Sequence, residues 1–246
     1  MRNAKRLAVI LILALVAPRS ADSVAADFQS FSSDKRVFGP RESVSGMVSI
    51  AGSYPWPKPL PVFKNRSFCG PTVINETLLV GAGGGLRNAV VLLRPMDGKV
   101  AVQASSITLD NRNCAFAPHV QVATVGSELL LKNSDPILHT VHARVGKETL
   151  FNVGLPRWRQ VFKRLDRLGV MRIDCDVLHT WMSAAIVVTD TPYFAVTDKT
   201  GRFKIDGLEA GEYEMDLWHE LLGSQSMRIT VADGASRFVE VVYSPK

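Results

Sequence analysis

The chain has 246 residues, of which 46% are hydrophobic and 21% charged, so it is globular rather than disordered and long enough for one large domain or two small ones. Its formal net charge of +6 falls to about +3 when residues 1–26 are set aside, because Arg2, Lys5, Arg6 and Arg19 leave together with Asp22. With no basic-aromatic motif beside it, that residual charge gives no reason to expect a nucleic-acid partner.

Residues 1–26 read as a secretory signal peptide. Arg2, Lys5 and Arg6 precede an apolar run over residues 7–17, and Val24-Ala25-Ala26 supplies a small-residue cleavage site. The run is too short to span a bilayer, and no other long apolar run follows. The mature protein is therefore expected to be soluble, to lack a transmembrane segment, and to be periplasmic or secreted. Export implies an oxidising compartment. Of the three cysteines, Cys69, Cys114 and Cys175, an odd one is left for special chemistry. Cys69–Cys114 is the expected disulfide, because Cys175 sits among candidate metal ligands; three unpaired thiols are the alternative.

Residues 27–43 read as a flexible arm. Beyond them short β-branched runs recur between turn signals, at 44–50, 76–80, 89–93, 120–125, 128–132, 139–145, 170–175 and 185–189. No convincing amphipathic helix exceeds about two turns, so the fold class is all-β. Residues 53–61, Ser-Tyr-Pro-Trp-Pro-Lys-Pro-Leu-Pro, are excluded from a sheet interior by their prolines. The Gly81-Ala82-Gly83-Gly84-Gly85 run mimics a dinucleotide-binding loop, but the segment after it is strand-like and Gln103 stands near the place of the required acid, so a glycine-rich turn is expected. Residues 154–168 read as a helical turn or irregular excursion. Their basic side chains, Arg157, Arg159, Lys163, Arg164 and Arg167, form a solvated face that could dock an acidic redox partner.

A second unit is expected over 191–246, with a first unit at 44–190 that carries an N-terminal β extension. In the second unit Tyr213, Met215 and Leu217 alternate with acids, so one strand face is buried. At about 55 residues this unit is small for independent stability and is expected to pack on the first.

The chemistry concentrates in Asp174-Cys175-Asp176-Val177-Leu178-His179-Thr180-Trp181-Met182 and in Asn133-Ser134-Asp135-Pro136-Ile137-Leu138-His139. Two imidazoles, a thiolate and a weak thioether form the ligand set of a mononuclear copper site. Strand alternation places His139 with Val141 and Ala143 on an inward face and His142 outward; Met171, Ile173 and Cys175 share the inward face of the second strand. His179 and Met182 would then join His139 and Cys175 from the loop that leaves the Cys175 strand, with one imidazole edge near the surface as an electron port. Zinc is the rival metal, and a buried free cysteine with structural histidines is the alternative without a metal. Trp181 is expected to shield the site. His119 reads as surface or structural, and Trp218-His219-Glu220 as a turn with an exposed tryptophan, a second metal site being the alternative.

These residues resemble the cupredoxins, the plastocyanin-like copper fold, over roughly residues 105–190. The resemblance rests on Cys114-Ala115-Phe116-Ala117-Pro118-His119-Val120, Val125-Gly126-Ser127, Asn133-Ser134-Asp135 before His139-Thr140-Val141-His142, and the 175–182 loop. More closely, the whole chain resembles the plastocyanin-like proteins labelled methylamine utilisation proteins. The family pattern implies a Greek-key β-sandwich with one copper ion held by His139, Cys175, His179 and axial Met182. The 191–246 unit resembles the carboxypeptidase regulatory-like domain, a prealbumin-like β-sandwich of carbohydrate-binding-like class, through Thr197-Asp198-x-x-Gly201-x-Phe203 and Gly211-x-Tyr213.

One departure concerns the spacing. Cys175 and His179 stand as Cys-x3-His-x2-Met, where many small cupredoxins have Cys-x2-His. The longer spacing is similar to the binuclear copper loop of cytochrome oxidase subunit II, but that centre needs a second cysteine at position 171, which is Met. A mononuclear site follows, with blue or red geometry left open. The implied function is an exported one-electron carrier rather than an enzyme, although an open copper position would admit oxidoreductase chemistry. The alternatives are copper binding or delivery without a redox role, and a carbohydrate- or surface-binding module with a secondary metal site.

Overall fold

The computed structural model describes residues 42–52 and 56–244; the expected signal peptide and nearly all of the expected 27–43 arm lie outside them. Among the described residues the protein is all-β, built as two sandwiches. None of their helices is long and apolar enough to cross a membrane.

The first sandwich has a five-stranded sheet in the order Glu148–Leu155, His139–Val145, Gly169–Asp174, Ser183–Thr189, Val120–Thr124, with the last pair parallel. A four-stranded sheet in the order Gln160–Arg164, Glu128–Asn133, Ser106–Arg112, Ala115–Ala117 supplies the other layer. Inward residues from both, including Leu109, Leu129, Leu131, Val141, Met171, Ile173 and Ile186, form one core. The Glu128–Asn133 strand shows the alternation that makes this possible: Leu129, Leu131 and Asn133 are buried while Glu128, Leu130 and Lys132 face outward.

The second sandwich pairs the sheet Tyr193–Val196, Val90–Pro95, Gly211–His219, Gly223–Val231 with the sheet Arg202–Leu208, Glu42–Ile50, Arg237–Tyr243. This corrects the expected boundary at 190/191. Glu42–Ile50 and Val90–Pro95, read as an extension of the first unit, find all their strand partners in the C-terminal part of the chain. Val44, Val48, Val91 and Leu93 share a core with Phe203, Ile205, Met215 and Val241. The physical reason is the one that made the C-terminal unit look too small: its own strands leave an apolar core open, and the N-terminal strands close it. A further apolar layer, with Leu92, Val120, Val122, Ala185 and Val187 at its centre, joins the two sandwiches.

Other expectations change locally. Residues 154–168 are not an irregular excursion, since Gln160–Arg164 is a strand paired with Glu128–Asn133. Residues 76–80 form no strand and hold only an isolated bridge, Val80 to Leu86. Pro61 takes part in a two-residue ribbon, Leu60–Pro61 with Thr72–Val73, outside both sandwiches. The glycine-rich run packs backbone against backbone: a Cβ on Gly85 would stand 2.1 Å from the Thr200 carbonyl oxygen, and one on Gly201 would meet the Val48 carbonyl at 2.3 Å. Gly81 and Gly85 thus serve a close approach to the 199–201 turn that a side chain would block.

Candidate metal centre

The His139–Val145 and Gly169–Asp174 strands are hydrogen-bonded neighbours, and Asp174 stands opposite His142 in their register. His139 begins the first strand and Cys175 follows the end of the second, so both inward side chains arrive at the same end of the sandwich. Leu178 adopts φ 66°, which folds the chain back within four residues. The Met182 N–H donates to the His179 carbonyl at 2.9 Å and closes the turn.

His139, Cys175 and His179 meet as a buried cluster. The His139 and His179 Nδ1 atoms are 3.1 Å apart, and Cys175 Sγ lies 3.6 Å from His179 Nδ1 and 3.9 Å from His139 Nδ1. Three donor atoms at these separations can share one ion at bond lengths of about 2.0–2.3 Å. Both imidazoles turn Nδ1 to the cluster because Nε2 is engaged elsewhere: His139 Nε2 is 3.0 Å from Asp135 Oδ2, and His179 Nε2 is 2.9 Å from Asn65 Oδ1. Such outer hydrogen bonds fix the tautomer and orientation of a ligating histidine. Cys175 Sγ accepts from the Thr140 N–H at 3.3 Å and from its hydroxyl at 3.7 Å.

The electrostatics suit a cation. Burial disfavours the Cys175 thiolate, but His139 and the donors of Thr140 and Val177 outweigh it and hold the thiol below its ordinary range. Burial likewise opposes charge on His139, yet Asp135 and Cys175 raise it. Burial, with the charges of His139 and Lys64, pushes His179 down to about 4 and leaves its Nδ1 lone pair free at neutral pH. Asp135 resists its own burial through His139 and the backbone N–H groups of Cys114 and Asn113, and its carboxyl lies below the usual range.

Of the four expected ligands, these three converge. Met182 is buried in the same core, and its side chain also lines a small cavity beside His119. His142 points outward, 2.9 Å from the Asp176 carboxylate. The expected surface edge of an imidazole is absent: His139 and His179 are both 0% exposed, and Asn65, from a distant part of the chain, stands against His179 Nε2. Trp181 lies against His179 with ring centroids 5.0 Å apart, and its indole N–H donates to the Cys114 carbonyl. Asp135 was visible in the sequence as part of the motif before His139. Asn65 carried no signal, standing 114 residues from its partner.

Cys69 and Cys114 form the expected disulfide, and Cys175 is the free thiol. His119 is buried, with Nε2 2.6 Å from Glu220 of the other sandwich. His219 is buried as well, its Nδ1 accepting from the Leu221 and Leu222 N–H groups. Trp218, expected to be exposed, is half-buried between the sandwiches, where it lines a cavity of about 460 Å³ with Leu92, Val170 and Val187. Asp190 and Asp216 line it as well, each paired with Arg94.

No family model matches the chain, and no curated relative matches it. Parts of the chain are similar to solved structures. One is a purple cupredoxin from Nitrosopumilus maritimus, 21% identical over 35% of this chain and 99% of that one, with a TM-score of 0.30. Another is a copper-containing nitrite reductase from Thermus scotoductus, 19% identical over 39% of this chain and 25% of that one, with a TM-score of 0.32. A third is amicyanin from Paracoccus versutus, 13% identical over 39% of this chain and 97% of that one, with a TM-score of 0.31. These scores establish no family membership for the chain.

Proposed function

We propose that the protein binds one copper ion through His139, Cys175 and His179, with Met182 as a weak axial ligand, and serves as an exported one-electron carrier. The observation that carries this reading is the cluster itself: one thiol and two imidazole nitrogens, all buried, within 3.9 Å of one another. Copper held there would supply a single-electron couple, for which a thiolate and two imidazoles suit both oxidation states. The chain's own residues do the rest. Asp135 and Asn65 hold the imidazoles in one tautomer, Thr140 orients the thiolate, and Trp181 excludes water. A rigid, dry site of this kind needs little rearrangement when charge changes.

The disulfide supports residence in an oxidising compartment. Full burial of the donors speaks against a delivery protein, which needs a labile, open site. Tyr213 is buried and Trp218 half-buried, so neither offers a stacking platform for a sugar. For an electron-transfer partner the supporting features are Leu138 and Leu178, each adjacent in sequence to a ligand and 50% and 65% exposed. The basic side chains of one stretch, Arg157, Arg159, Lys163, Arg164 and Arg167, with the exposed Trp158 among them, would steer an acidic partner.

Addition of Cu(II) to the purified protein is the test. The expected result is an intense visible thiolate-to-copper band at one equivalent, lost in Cys175→Ser. Zinc bound in preference to copper, or copper bound without such a band and equally by Cys175→Ser, sinks the reading.

A further inference from the structure

The segment from Leu60 to Val73 has no core of its own. Its one helical turn, Arg66–Cys69, buries no residue and has no side-chain cap. Phe63 and Phe68 are exposed at its tip. What fixes it in place is a set of tethers. The Leu60–Pro61 and Thr72–Val73 ribbon closes its base, and Val62 is buried in the first core. The Lys64 ammonium donates to the Val177 carbonyl at 3.2 Å, inside the ligand loop. Asn65 holds His179, and Cys69 is bonded to Cys114.

Cys114 is itself tied to both imidazoles. Its N–H donates to Asp135 Oδ2, the atom that faces His139 Nε2, and its carbonyl accepts from Trp181, which lies against His179. One crosslink thus joins the covering loop to the supports of both histidines.

We infer that residues 60–73 are a gate on the metal centre, in which Asn65 is the positioning residue that commits His179 to Nδ1 and the Cys69–Cys114 disulfide is the latch that keeps Asn65 there; this rests on the metal-binding reading above. With Asn65 Oδ1 accepting, the His179 proton stays on Nε2 and the Nδ1 lone pair faces the cluster. Loss of Asn65 frees the imidazole to choose either tautomer and opens a path for water and chelators. Loss of the disulfide releases the whole loop. A dithiol reductant would do this by exchange: one of its thiolates attacks the disulfide, its second thiol resolves the mixed disulfide, and it departs as a cyclic disulfide. Two electrons and two protons then remain on Cys69 and Cys114 as thiols. Metal retention is thereby coupled to the redox state of the compartment.

The test uses the metal-free, full-length protein first. Cys175 is its only free thiol and is 4% exposed, so its rate of reaction with an aromatic disulfide reagent reports opening without any metal. Asn65 sits at φ 56°, a conformation glycine accepts, so Asn65→Gly removes the acceptor and spares the backbone. Asn65→Gly and the double variant Cys69→Ser/Cys114→Ser should react about 10-fold or more faster than the wild type. Asn65→Asp, which keeps an acceptor oxygen, should restore slow reaction. Nitrogen NMR should place the His179 proton on Nε2 in the wild type and Asn65→Asp, and divide it between the nitrogens in Asn65→Gly. In a second arm, Cu(II) transfer to a chelator should be about 10–100-fold faster from Asn65→Gly, the usual effect of losing an outer-shell partner. Unchanged thiol reactivity and an unchanged His179 tautomer in a natively folded Asn65→Gly overturn the gate. No copper uptake by the wild type overturns the metal-binding reading and the inference with it, and the metal-free arm tells the two failures apart.

Discussion

The Asp135 carboxylate, 2% exposed, stands 3.0 Å from His139 Nε2 and also receives the backbone N–H groups of Asn113 and Cys114. One buried acid therefore aligns an imidazole of the candidate centre and the disulfide-bearing turn together. Asp135→Ala should cost about 3 kcal/mol of stability, since it leaves buried donors and an unpaired imidazole. Asp135→Asn should fold better and still bind metal about 10–100-fold more weakly. Urea unfolding and copper titration measure the two effects; equal copper affinity in Asp135→Asn would remove the acid from the metal's support.

Met182 has two possible duties that one substitution separates. Leucine nearly conserves its volume, so Met182→Leu should cost less than about 1.5 kcal/mol. If the thioether is an axial ligand, the variant keeps the thiolate band and shows a changed reduction potential. Voltammetry decides; an identical potential assigns Met182 to the core alone.

His119 and Glu220 should make stability depend on pH across the contact between the sandwiches. Burial opposes charge on His119, but Glu220 and Glu76 raise it above its ordinary 6.5, while His119 holds Glu220 below its ordinary 4.5 despite burial. A raised histidine contributes stability that is complete below 6.5 and lost as pH climbs through the folded value. A lowered glutamate contributes stability present above 4.5 and lost in acid. The pair is worth most between those values. Glu220→Gln should therefore destabilise by about 3 kcal/mol near pH 6 and by less near pH 9, as read from urea midpoints at both pH values. A pH-independent penalty would contradict the ion pair.

The strand pairing makes a prediction about fragments. A chain cut after Asp190 retains Glu42–Ile50 and Val90–Pro95 but loses every strand they pair with. It should expose Val44, Val48, Val91 and Leu93 and aggregate, and residues 191–246 alone should show no cooperative melt by circular dichroism. A fragment beginning near Leu60 and ending at Asp190 removes only one of the two orphaned strands and should still be unstable. Cooperative folding of 191–246 in isolation would restore the boundary expected from the sequence.

Period-two alternation made His139 and Cys175 legible as inward residues and His142 as an outward one, since side-chain direction is a local property of a strand. Alternation reports a face, however, and never a partner. Glu42–Ile50 alternates cleanly, yet nothing in it names Arg202–Leu208 and Arg237–Tyr243 as its neighbours. The Ser106–Arg112 strand escaped notice because the residues it buries are Leu109 and the polar Asn111, which is paired to the Lys132 carbonyl. Asn65 escaped because its role comes from a tethered loop, not from any pattern near His179.

Glu42–Ile50 runs parallel to Arg237–Tyr243, in a register that sets Val44 beside Arg237 and Ile50 beside Tyr243. A side-chain hydrogen bond along this seam joins residues 193 apart in sequence, Ser43 to Ser236. Pairings of such separation form slowly, because nearly the whole chain must be ordered before they reward it. The sandwich whose first strand is made early is thus completed late: during synthesis Glu42–Ile50 gains its antiparallel neighbour only with Arg202–Leu208 and its parallel one only with Arg237–Tyr243.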